Sequence, residues 1–182
     1  MKFANNEFPS SYDKDFETIF SKWPFTLSDF QKWAIYSIYN SNDTLVCAPT
    51  GSGKTLPAEF AIDHFTKLGK KIIYTTPIKA LSNDKLAELS EKFPNISFGL
   101  LTGDIKFNPE AQVLIMTTEI YLNTLLKLMF IKSQPDYDPN KLGLEFSMDI
   151  DKELGIVIHD EIHYINDRDR GHIWEKSIMN QP

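Results

Sequence analysis

Ala48-Pro49-Thr50-Gly51-Ser52-Gly53-Lys54-Thr55 is the stretch that decides the fold of this 182-residue chain. The apolar run Leu45-Val46-Cys47 precedes it and a helical pattern follows it, which predicts a buried strand, a tight loop and a helix in that order. Small residues let the backbone of such a loop curl until several N–H groups point inward, and the helix N-terminus adds positive potential. We therefore predict that this loop binds the phosphate groups of a nucleotide.

The side chains of this loop have different predicted roles. Lys54 is expected to reach the β- and γ-phosphates of ATP, and the hydroxyl of Thr55 to hold Mg²⁺. Ala48 takes the place of the first glycine of the general pattern, at a position where we expect no need for a positive φ. A glycine-rich turn that ends in Lys-Thr by chance is the alternative, and the predicted strand and helix on either side argue against it. The predicted cofactors are ATP and Mg²⁺, with every residue from Ala48 to Thr55 binding them.

Beyond the loop, short apolar runs alternate with helical patterns. Strands are predicted at 72–74, 97–101, 113–116 and 156–158. Helices are predicted within 56–68, 81–93 and 122–129, where leucine and phenylalanine recur at helical spacing. Gly69, Pro77 and Pro94 end or interrupt these elements. Alternating strands and helices predict an α/β domain with a mostly parallel sheet and helices on both faces.

A second motif, Asp160-Glu161-Ile162-His163, follows the predicted strand at 156–158. Ligands of parallel sheets bind at the carboxyl ends of the strands, so this strand carries both carboxylates to the binding edge. Asp160 is expected to hold Mg²⁺ through water, and Glu161 to orient and polarise the attacking water. His163 can form a hydrogen bond toward a neighbouring motif. The predicted catalytic residues are Lys54, Asp160, Glu161 and His163.

His159 and His163 are four residues apart, which raises the alternative of a zinc site. That spacing brings two histidines together on a helix in the pattern His-Glu-x-x-His, whereas here Glu161 stands third and the preceding residues predict a strand. We therefore interpret His159 as a partly buried strand residue and Cys47 as strand core.

An aromatic cluster followed by an amide lies upstream of the loop, in Trp23-Pro24-Phe25-Thr26-Leu27-Ser28-Asp29-Phe30-Gln31. Gln31 presents a hydrogen-bond donor and an acceptor together, which suits the edge of adenine, and we expect Phe25 to lie against the base. The alternative is an amphipathic helix with a surface glutamine and core aromatics. The short distance along the chain to the phosphate-binding loop favours adenine.

Two stretches depart from the alternation of strands and helices. Residues 1–22 are polar and mixed without a clear period, and we interpret them as a lead-in to a domain at 23–182. The stretch 132–153 is too polar for core, and we interpret it as a surface insertion whose part 133–141 stays mobile. The rest of the insertion has a strand period that predicts an edge strand or hairpin, in Leu142, Leu144, Phe146, Met148 and Ile150.

Composition limits the classes of function. The net charge of −6 argues weakly against a nucleic-acid binder, although a partner held by backbone N–H groups and a few local cations needs no overall positive charge. The single cysteine excludes an internal disulfide and agrees with an intracellular, reducing compartment. No apolar run approaches the roughly 20 residues of a membrane span, so we expect no membrane association.

Taken together, these motifs resemble superfamily 2 helicases of the DExH class, in particular the Ski2/Mtr4-type RNA helicases. The resemblance runs from about Trp23 to the end of the chain. It implies a RecA-like P-loop NTPase domain, the first of two, that couples ATP hydrolysis to unwinding of RNA or translocation on it. The residues that carry it, besides the loop and Asp160 to His163, are Phe30-Gln31, Pro77-Ile78-Lys79-Ala80-Leu81-Ser82-Asn83, Leu101-Thr102-Gly103-Asp104, Asn108-Pro109, Met116-Thr117-Thr118-Glu119, Arg170-Gly171 and Trp174-Glu175.

The resemblance also implies a face for single-stranded nucleic acid, formed by loops and helix starts that follow the strands. Free N–H groups and short hydroxyl side chains in such places can bind phosphates, and Lys79 adds a cation. A plain helix N-terminus also fits 117–119 and is compatible with this role. The nucleic-acid-binding residues implied are Pro77, Lys79, Ala80, Asn83, Thr102, Gly103, Asp104, Thr117, Thr118 and Glu119.

The chain departs from the family pattern in three places: the polar stretch 132–153, His159 in place of an apolar or aromatic residue, and the end at Pro182. We therefore expect a fragment whose partner is the second RecA-like domain of its own chain. We also expect poor ATP hydrolysis by the fragment, because the second domain would supply the arginine finger. Such a finger is worth roughly 10³–10⁵ in rate. The alternatives are a DNA helicase or translocase of the same superfamily, and a non-catalytic module that binds ATP or a partner protein.

Overall fold

The structure is a computed structural model that describes residues 7–49, 51–133 and 148–181. The chain forms two compact units, which are divided between His64 and Phe65. In the described part of the first unit lie the helices α1 (Ser10–Phe20) and α2 (Asp29–Tyr39), and α3 (Thr55–Lys67) crosses the division. Each unit is described in turn.

Aromatic side chains form the core of the first unit. The ring of Phe8 makes T-shaped contacts with the rings of Phe20 and Trp33, at centroid distances of 5.6 and 4.9 Å. Phe16 and Phe20 are the buried residues of α1, and they lie one helical turn apart. The stretch 1–22, which we expected to be a lead-in without a period, therefore contains a helix with an apolar face. Two phenylalanines one turn apart are too few to reveal a helical period in a polar stretch.

The second unit contains a five-stranded sheet in the order β3-β2-β4-β1-β5, with β1 at Lys71–Thr76, β2 at Phe98–Leu101, β3 at Lys106–Phe107, β4 at Val113–Thr117 and β5 at Leu154–His159. β1 pairs in parallel with both β4 and β5, and β4 pairs in parallel with β2. The short β3 pairs antiparallel with β2 and was not predicted. The predicted α/β class with a mostly parallel sheet is confirmed.

The helices of the described part of the second unit are α4 (Lys79–Lys92), α5 (Thr118–Lys132), α6 (Ile150–Glu153) and α7 (Gly171–Met179), and a 3₁₀ turn spans Ile162–Asn166. Gly69 follows α3 with a φ of +72°, the left-handed conformation that commonly ends a helix. Pro94 follows α4 and prevents its continuation. Among the residues that the structure describes, no helix has the length and apolar composition needed to cross a membrane.

One predicted strand does not form. Leu45, Val46 and Cys47 belong to none of the strands of the described residues, and both Leu45 and Cys47 are exposed. A strand needs a neighbour that satisfies its backbone N–H and carbonyl groups, and an apolar run predicts burial without specifying that neighbour. The interpretation of Cys47 as strand core is therefore wrong.

The core of the second unit joins side chains of β1, β2, β4 and α5 with Met148 and Ile150, which are 4% and 7% exposed. The end of the stretch 132–153 is thus core, and Ile150 begins the single turn of α6 where we expected an edge strand or hairpin. Alternation of apolar and polar residues predicted that strand, yet two apolar residues two positions apart can also be buried at the start of a helical turn. The segment 134–147, with most of the predicted insertion, lies outside the described residues.

Burial of Met148 gives a direct test of this correction. Met148→Ala should lower the free energy of unfolding by about 2–5 kcal/mol, because truncation removes buried contacts and leaves a cavity. Met179 is the matched control, since it is 82% exposed and its truncation should change stability by less than about 0.5 kcal/mol. Urea denaturation followed by circular dichroism measures both variants, and equal stabilities would show that Met148 is not core.

Candidate nucleotide site and nucleic-acid face

The described residues of the loop that precedes α3 have backbone features of a phosphate-binding loop. Gly51 and Gly53 have φ values of +80° and +82°, a conformation that residues with a Cβ rarely adopt. The hydroxyl of Ser52 donates a hydrogen bond of 2.6 Å to the carbonyl of Pro49, which closes the loop from within. The first N–H groups of a helix lack acceptors within it, so the start of α3 at Thr55 adds donors. The loop can therefore present several N–H groups to an anion.

Lys54 lies in the turn that leads into α3 and is partly exposed. Its ammonium group has no hydrogen-bond or ion-pair partner among the described residues, so it can pair with a phosphate. Ala48 does not have a positive φ, in agreement with the expectation for this position. Thr50 lies outside the described residues.

Gln31 contacts the loop itself in this structure. Its side-chain carbonyl accepts a hydrogen bond of 2.9 Å from the N–H of Ser28, which completes a capping box at the start of α2. Its side-chain amide donates a bond of 3.2 Å to the carbonyl of Gly53, and a Cβ on Gly53 would lie 2.5 Å from the same nitrogen. Gln31 is thus buried and not the surface glutamine of the alternative interpretation. Its predicted contact with adenine stays a prediction.

A cleft of about 460 Å³ lies beside the loop within the first unit, lined by Phe25, Gln31, Gly51, Gly53 and Thr55 among others. A ligand pocket for a small molecule typically encloses about 300–1,000 Å³, so the cleft is large enough for a nucleotide or much of one. Phe25 is 54% exposed, and an exposed ring at a cleft can stack on a base. The positive φ of both glycines and the close approach of Gln31 to Gly53 favour glycine at these positions, and the open cleft beside them leaves room for a bound nucleotide.

At the end of β5, the carboxylate of Asp160 is held by two donors. The phenol of Tyr74, on the neighbouring β1, donates a hydrogen bond of 2.9 Å to Oδ2, and the N–H of Glu161 donates one of 2.9 Å to Oδ1. Burial raises the pKa of Tyr74, and the charge of Asp160 raises it further, so the phenol stays protonated and remains a donor. Each carboxylate oxygen keeps a second acceptor site, which water in the shell of a Mg²⁺ ion could use.

Glu161 turns the chain sharply after the strand. Its φ is +53° and its ψ is 44°, a left-handed conformation that costs a non-glycine residue about 1–3 kcal/mol. The ring nitrogen Nδ1 of His163 lies 3.0 Å from Oε2 of Glu161, and the imidazole is more than half exposed. The contact of His163 in this structure is thus with the predicted water-orienting carboxylate, and not with a neighbouring motif.

His159 is a partly buried strand residue, as predicted. Its Nδ1 lies 2.9 Å from the hydroxyl of Thr75, its Nε2 contacts the side-chain amide of Gln181, and its ring packs against Tyr121 and Trp174. Burial lowers the pKa of His159 to about 4. A neutral ring fits both contacts, because one ring nitrogen can then donate while the other accepts.

Three segments expected to face nucleic acid follow neighbouring parallel strands: the first segment 77–83 follows β1, the second segment 102–104 follows β2, and the third segment 117–119 lies at the end of β4 and the start of α5. Lys79 of the first segment lies 2.5 Å from Asp104 of the second. The hydroxyl of Thr118 in the third donates to the carbonyl of Thr76, just before the first, at 3.1 Å. The structure therefore brings the three segments together, and we call this surface the nucleic-acid face.

The residues of this face differ in how far they can reach a ligand. Lys79, Ala80, Asn83, Gly103 and Asp104 are exposed, and Glu119 is partly exposed. The buried residues can contribute mainly through the backbone, and they are Pro77, Thr102, Thr117 and Thr118. The ion pair with Lys79 and a hydrogen bond from Thr102 lower the pKa of Asp104, so its carboxylate is charged at neutral pH.

Sequence reasoning missed two residues of this region. Tyr74 reads as one more apolar residue of a buried strand, and only the pairing of β1 with β5 brings its phenol to Asp160. Arg170 was noted only as part of the resemblance. In the structure its guanidinium contacts the carbonyl of Pro77 and the carboxylate of Glu119, in two of the three segments. Neither contact has a signal in spacing along the chain.

Comparison with known proteins places these features in a family. The profile described as DEAD/DEAH box helicase matches residues 28–182. The chain is 41% identical over 160 residues to "Antiviral helicase SKI2" of Saccharomyces cerevisiae, covering 88% of this chain and 11% of that one. It is 42% identical over 157 residues to "mRNA transport homolog 4" of Caenorhabditis elegans, covering 86% of this chain and 13% of that one. It is 38% identical over 161 residues to "Exosome RNA helicase MTR4" of Mus musculus, covering 88% and 14%.

A solved structure resembles the chain as well. It is described as Mycobacterium smegmatis helicase Lhr bound to ssDNA and AMP-PNP, with a TM-score of 0.56 and 26% identity. The similarity covers 96% of this chain and 23% of that one. The chain thus spans less than a quarter of the length of each of these four proteins.

The low pKa of His159 predicts a loss of stability in acid. The unfolded chain takes up a proton near pH 6.5 and the folded chain only near pH 4. Stability is therefore fully present above pH 6.5 and falls as the pH drops from there toward 4. At pH 5.0 the protonation of His159 should lower the free energy of unfolding by about 2 kcal/mol relative to pH 7.5. Urea denaturation at the two pH values measures it.

Two variants isolate this contribution. His159→Phe keeps a ring beside Tyr121 and Trp174 but cannot titrate, so its loss of stability between pH 7.5 and 5.0 should be smaller by that amount. His172→Phe is the control, because His172 is exposed and should leave the pH dependence unchanged. The same acid sensitivity in both variants would show that His159 is not the residue responsible.

Proposed function

The chain belongs to the DEAD/DEAH box helicase family, and from that membership we propose that it is the ATP-binding motor domain of a helicase that acts on single-stranded RNA. The observation that carries the proposal is the arrangement at the carboxyl edge of the sheet, the edge where the parallel strands end. Asp160, Glu161 and the nucleic-acid face all follow neighbouring strands at that edge. A motor needs ATP chemistry and nucleic-acid binding to be coupled, and the side chains at this edge can take part in both.

In the proposed site, the loop at 48–55 binds the phosphates of ATP. Its backbone N–H groups and the start of α3 provide fixed donors, and Lys54 provides a cation for the β- and γ-phosphates. Phe25 stacks on the adenine, and the cleft beside the loop holds the nucleoside. Gln31 then has two proposed roles. It binds the edge of the adenine, and its contact with the carbonyl of Gly53 couples the base-binding cluster to the phosphate-binding loop.

Asp160, Glu161 and Thr55 carry the proposed chemistry. Thr55 and Asp160 are the ligands proposed for Mg²⁺, which when bound supplies positive charge to offset the charge that develops on the transferred phosphoryl group. Tyr74 and the N–H of Glu161 hold the carboxylate of Asp160 in one orientation. Glu161 orients the attacking water, and the imidazole of His163 contacts the carboxylate of Glu161 and helps to hold it in place.

We propose that the nucleic-acid face binds the sugar–phosphate backbone of one strand. Exposed N–H groups of the three segments and the side chains of Lys79 and Asn83 are its donors. A second RecA-like domain would complete the grip and supply the arginine finger. The net charge of the chain opposes a polyanion, so binding by the chain alone should be weak and should depend on salt.

DNA as the strand is the second candidate, and the solved relative bound to ssDNA favours it. The relatives named as RNA or mRNA proteins favour RNA. Competition of labelled single-stranded RNA with unlabelled RNA and DNA of one sequence separates the two. Stronger competition by the RNA would support our proposal, and stronger competition by the DNA would replace it with the second candidate.

Lys54→Ala should weaken the binding of ATP with Mg²⁺ at least about tenfold, because it removes the cation for the terminal phosphates, whose charge-assisted contacts are worth about 1.5–3 kcal/mol. Fluorescence of a labelled ATP analogue measures the affinity. Lys127→Ala is the control, since Lys127 is an exposed lysine of α5 and should bind as the original chain does. Equal affinities for the two variants would remove the loop from the nucleotide site.

Lys79→Ala should weaken the binding of single-stranded RNA and reduce the salt dependence. Loss of one phosphate contact lowers the slope of log K against log salt by about 0.7 for a single strand. Lys92→Ala is the matched control, because Lys92 is an exposed lysine at the other end of α4. Fluorescence anisotropy at several salt concentrations measures the slopes. If both variants give the slope of the original chain, Lys79 does not contact the strand.

A further inference from the structure

Arg170 joins two segments of the nucleic-acid face through one nitrogen atom. Its Nη2 donates a hydrogen bond of 2.5 Å to the carbonyl of Pro77, in the first segment. The same nitrogen makes an ion pair with Oε1 of Glu119, in the third segment. The side chains of Arg170 and Glu119 are 36% and 34% exposed, so the contact is partly shielded from water.

Several contacts fix the backbone of Arg170. The carboxylate of Asp167 accepts hydrogen bonds from the N–H groups of Asp169 and Arg170, at 3.0 and 2.9 Å. Gly171 packs so closely that a Cβ would lie 2.3 Å from the carbonyl of Ile165, in the 3₁₀ turn that follows Glu161. A short ordered path along the chain therefore connects Glu161 with Arg170.

Buried packing holds α7 as well. Trp174 is 1% exposed, and its ring lies 5.9 Å from the ring of His159 at the end of β5. The helix that begins beside Arg170 is therefore fixed to the strand that carries Asp160. Because this support is ordered, the guanidinium can hold its two acceptors, the carbonyl of Pro77 and the carboxylate of Glu119, in place.

Stability alone does not account for this contact. An ion pair that is partly exposed contributes little to folding, and the third segment is already linked to Thr76, the residue just before the first segment, by the hydrogen bond from Thr118. Arg170 contacts different groups, namely the carbonyl of Pro77 at the start of the first segment and the side chain of Glu119 in the first turn of α5. It thereby sets the relative position of the two groups of N–H donors.

Given the proposed function, we propose that Arg170 is a positioning residue for the binding of single-stranded nucleic acid. It holds the first and third segments at the separation at which both bind neighbouring phosphates, and it ties that separation to the segment that carries Asp160 and Glu161. In this role Arg170 acts through protein contacts, those of its Nη2 with Pro77 and Glu119, and the salt dependence of binding tests whether it also contacts a phosphate.

The test compares Arg170→Gln with Arg168→Gln in the full chain. Arg168 is exposed and two residues away, so both variants lose one positive charge from the same region. Hydrogen–deuterium exchange at 78–83 and 118–122 reports the order of the two segments without any ligand. Anisotropy with single-stranded RNA reports affinity and salt slope. Arg170→Gln should exchange faster in both segments and bind about tenfold more weakly with an unchanged slope, and Arg168→Gln should do neither.

A second pair of variants separates position from charge. Arg170→Gln also leaves Glu119 without its cation, so Arg170→Gln with Glu119→Gln restores the local charge balance without restoring the contact. Binding by the double variant should stay weak, and Arg170→Lys should recover part of the affinity. Full recovery in the double variant would overturn the proposal, because the loss would then be electrostatic.

The exchange data distinguish this inference from the proposed function. Unchanged exchange in Arg170→Gln would overturn the inference, whatever the affinity. Faster exchange with unchanged RNA binding would overturn it as well, because the position of the segments would not matter to the strand. Faster exchange in a chain whose original form binds no single strand would confirm the positioning contact and refute the proposed nucleic-acid face.

Discussion

The parallel pairing of β1 with β4 on one side and β5 on the other is the constraint on which the candidate sites of the second unit depend. Strands that run in one direction end at one edge, so whatever follows them must share that edge. The register matters as much as the direction. Thr75 pairs with His159, and this alignment brings Thr75 to the imidazole and Tyr74 to Asp160. A slip of one residue would turn each of these side chains to the other face of the sheet.

Hydrogen bonds of short hydroxyl side chains order the loops at this edge of the sheet. The hydroxyl of Thr76 lies 2.6 Å from that of Ser82, and Thr118 donates to the carbonyl of Thr76. All three residues are at most 1% exposed, and a buried polar group without a partner costs about 1–3 kcal/mol. The loops therefore resist rearrangement. The hydroxyl of Thr118 already has a partner, so a nucleic-acid strand would meet mainly backbone N–H groups and the exposed side chains of the face.

Local patterns predicted most of the second unit, because β1, β2, β4, β5, α4 and α5 each carry an apolar run or a helical period of their own, and Pro77 and Pro94 mark the ends of β1 and α4. The errors arose where structure depends on a distant partner. Leu45 to Cys47 looks like a strand but has no partner among the described strands, whereas Met148 and Ile150 lie in a polar stretch and are buried by the core around them. The roles of Tyr74 and Arg170 likewise follow from pairing and packing, which spacing along the chain does not reveal.

An acidic chain can present a nucleic-acid face only if its few cations are in the right place, and Lys79 shows how finely this is balanced. In the absence of nucleic acid, the ammonium group of Lys79 forms an ion pair with the carboxylate of Asp104. Both side chains are at least half exposed, so the pair is weak and a phosphate can displace the carboxylate. Asp104 would then keep its hydrogen bond from the hydroxyl of Thr102 but would lie as an unpaired charge beside a polyanion. The gain in affinity from Lys79 would therefore be offset in part by this exposed carboxylate, which adds to the weak, salt-dependent binding proposed for this acidic chain.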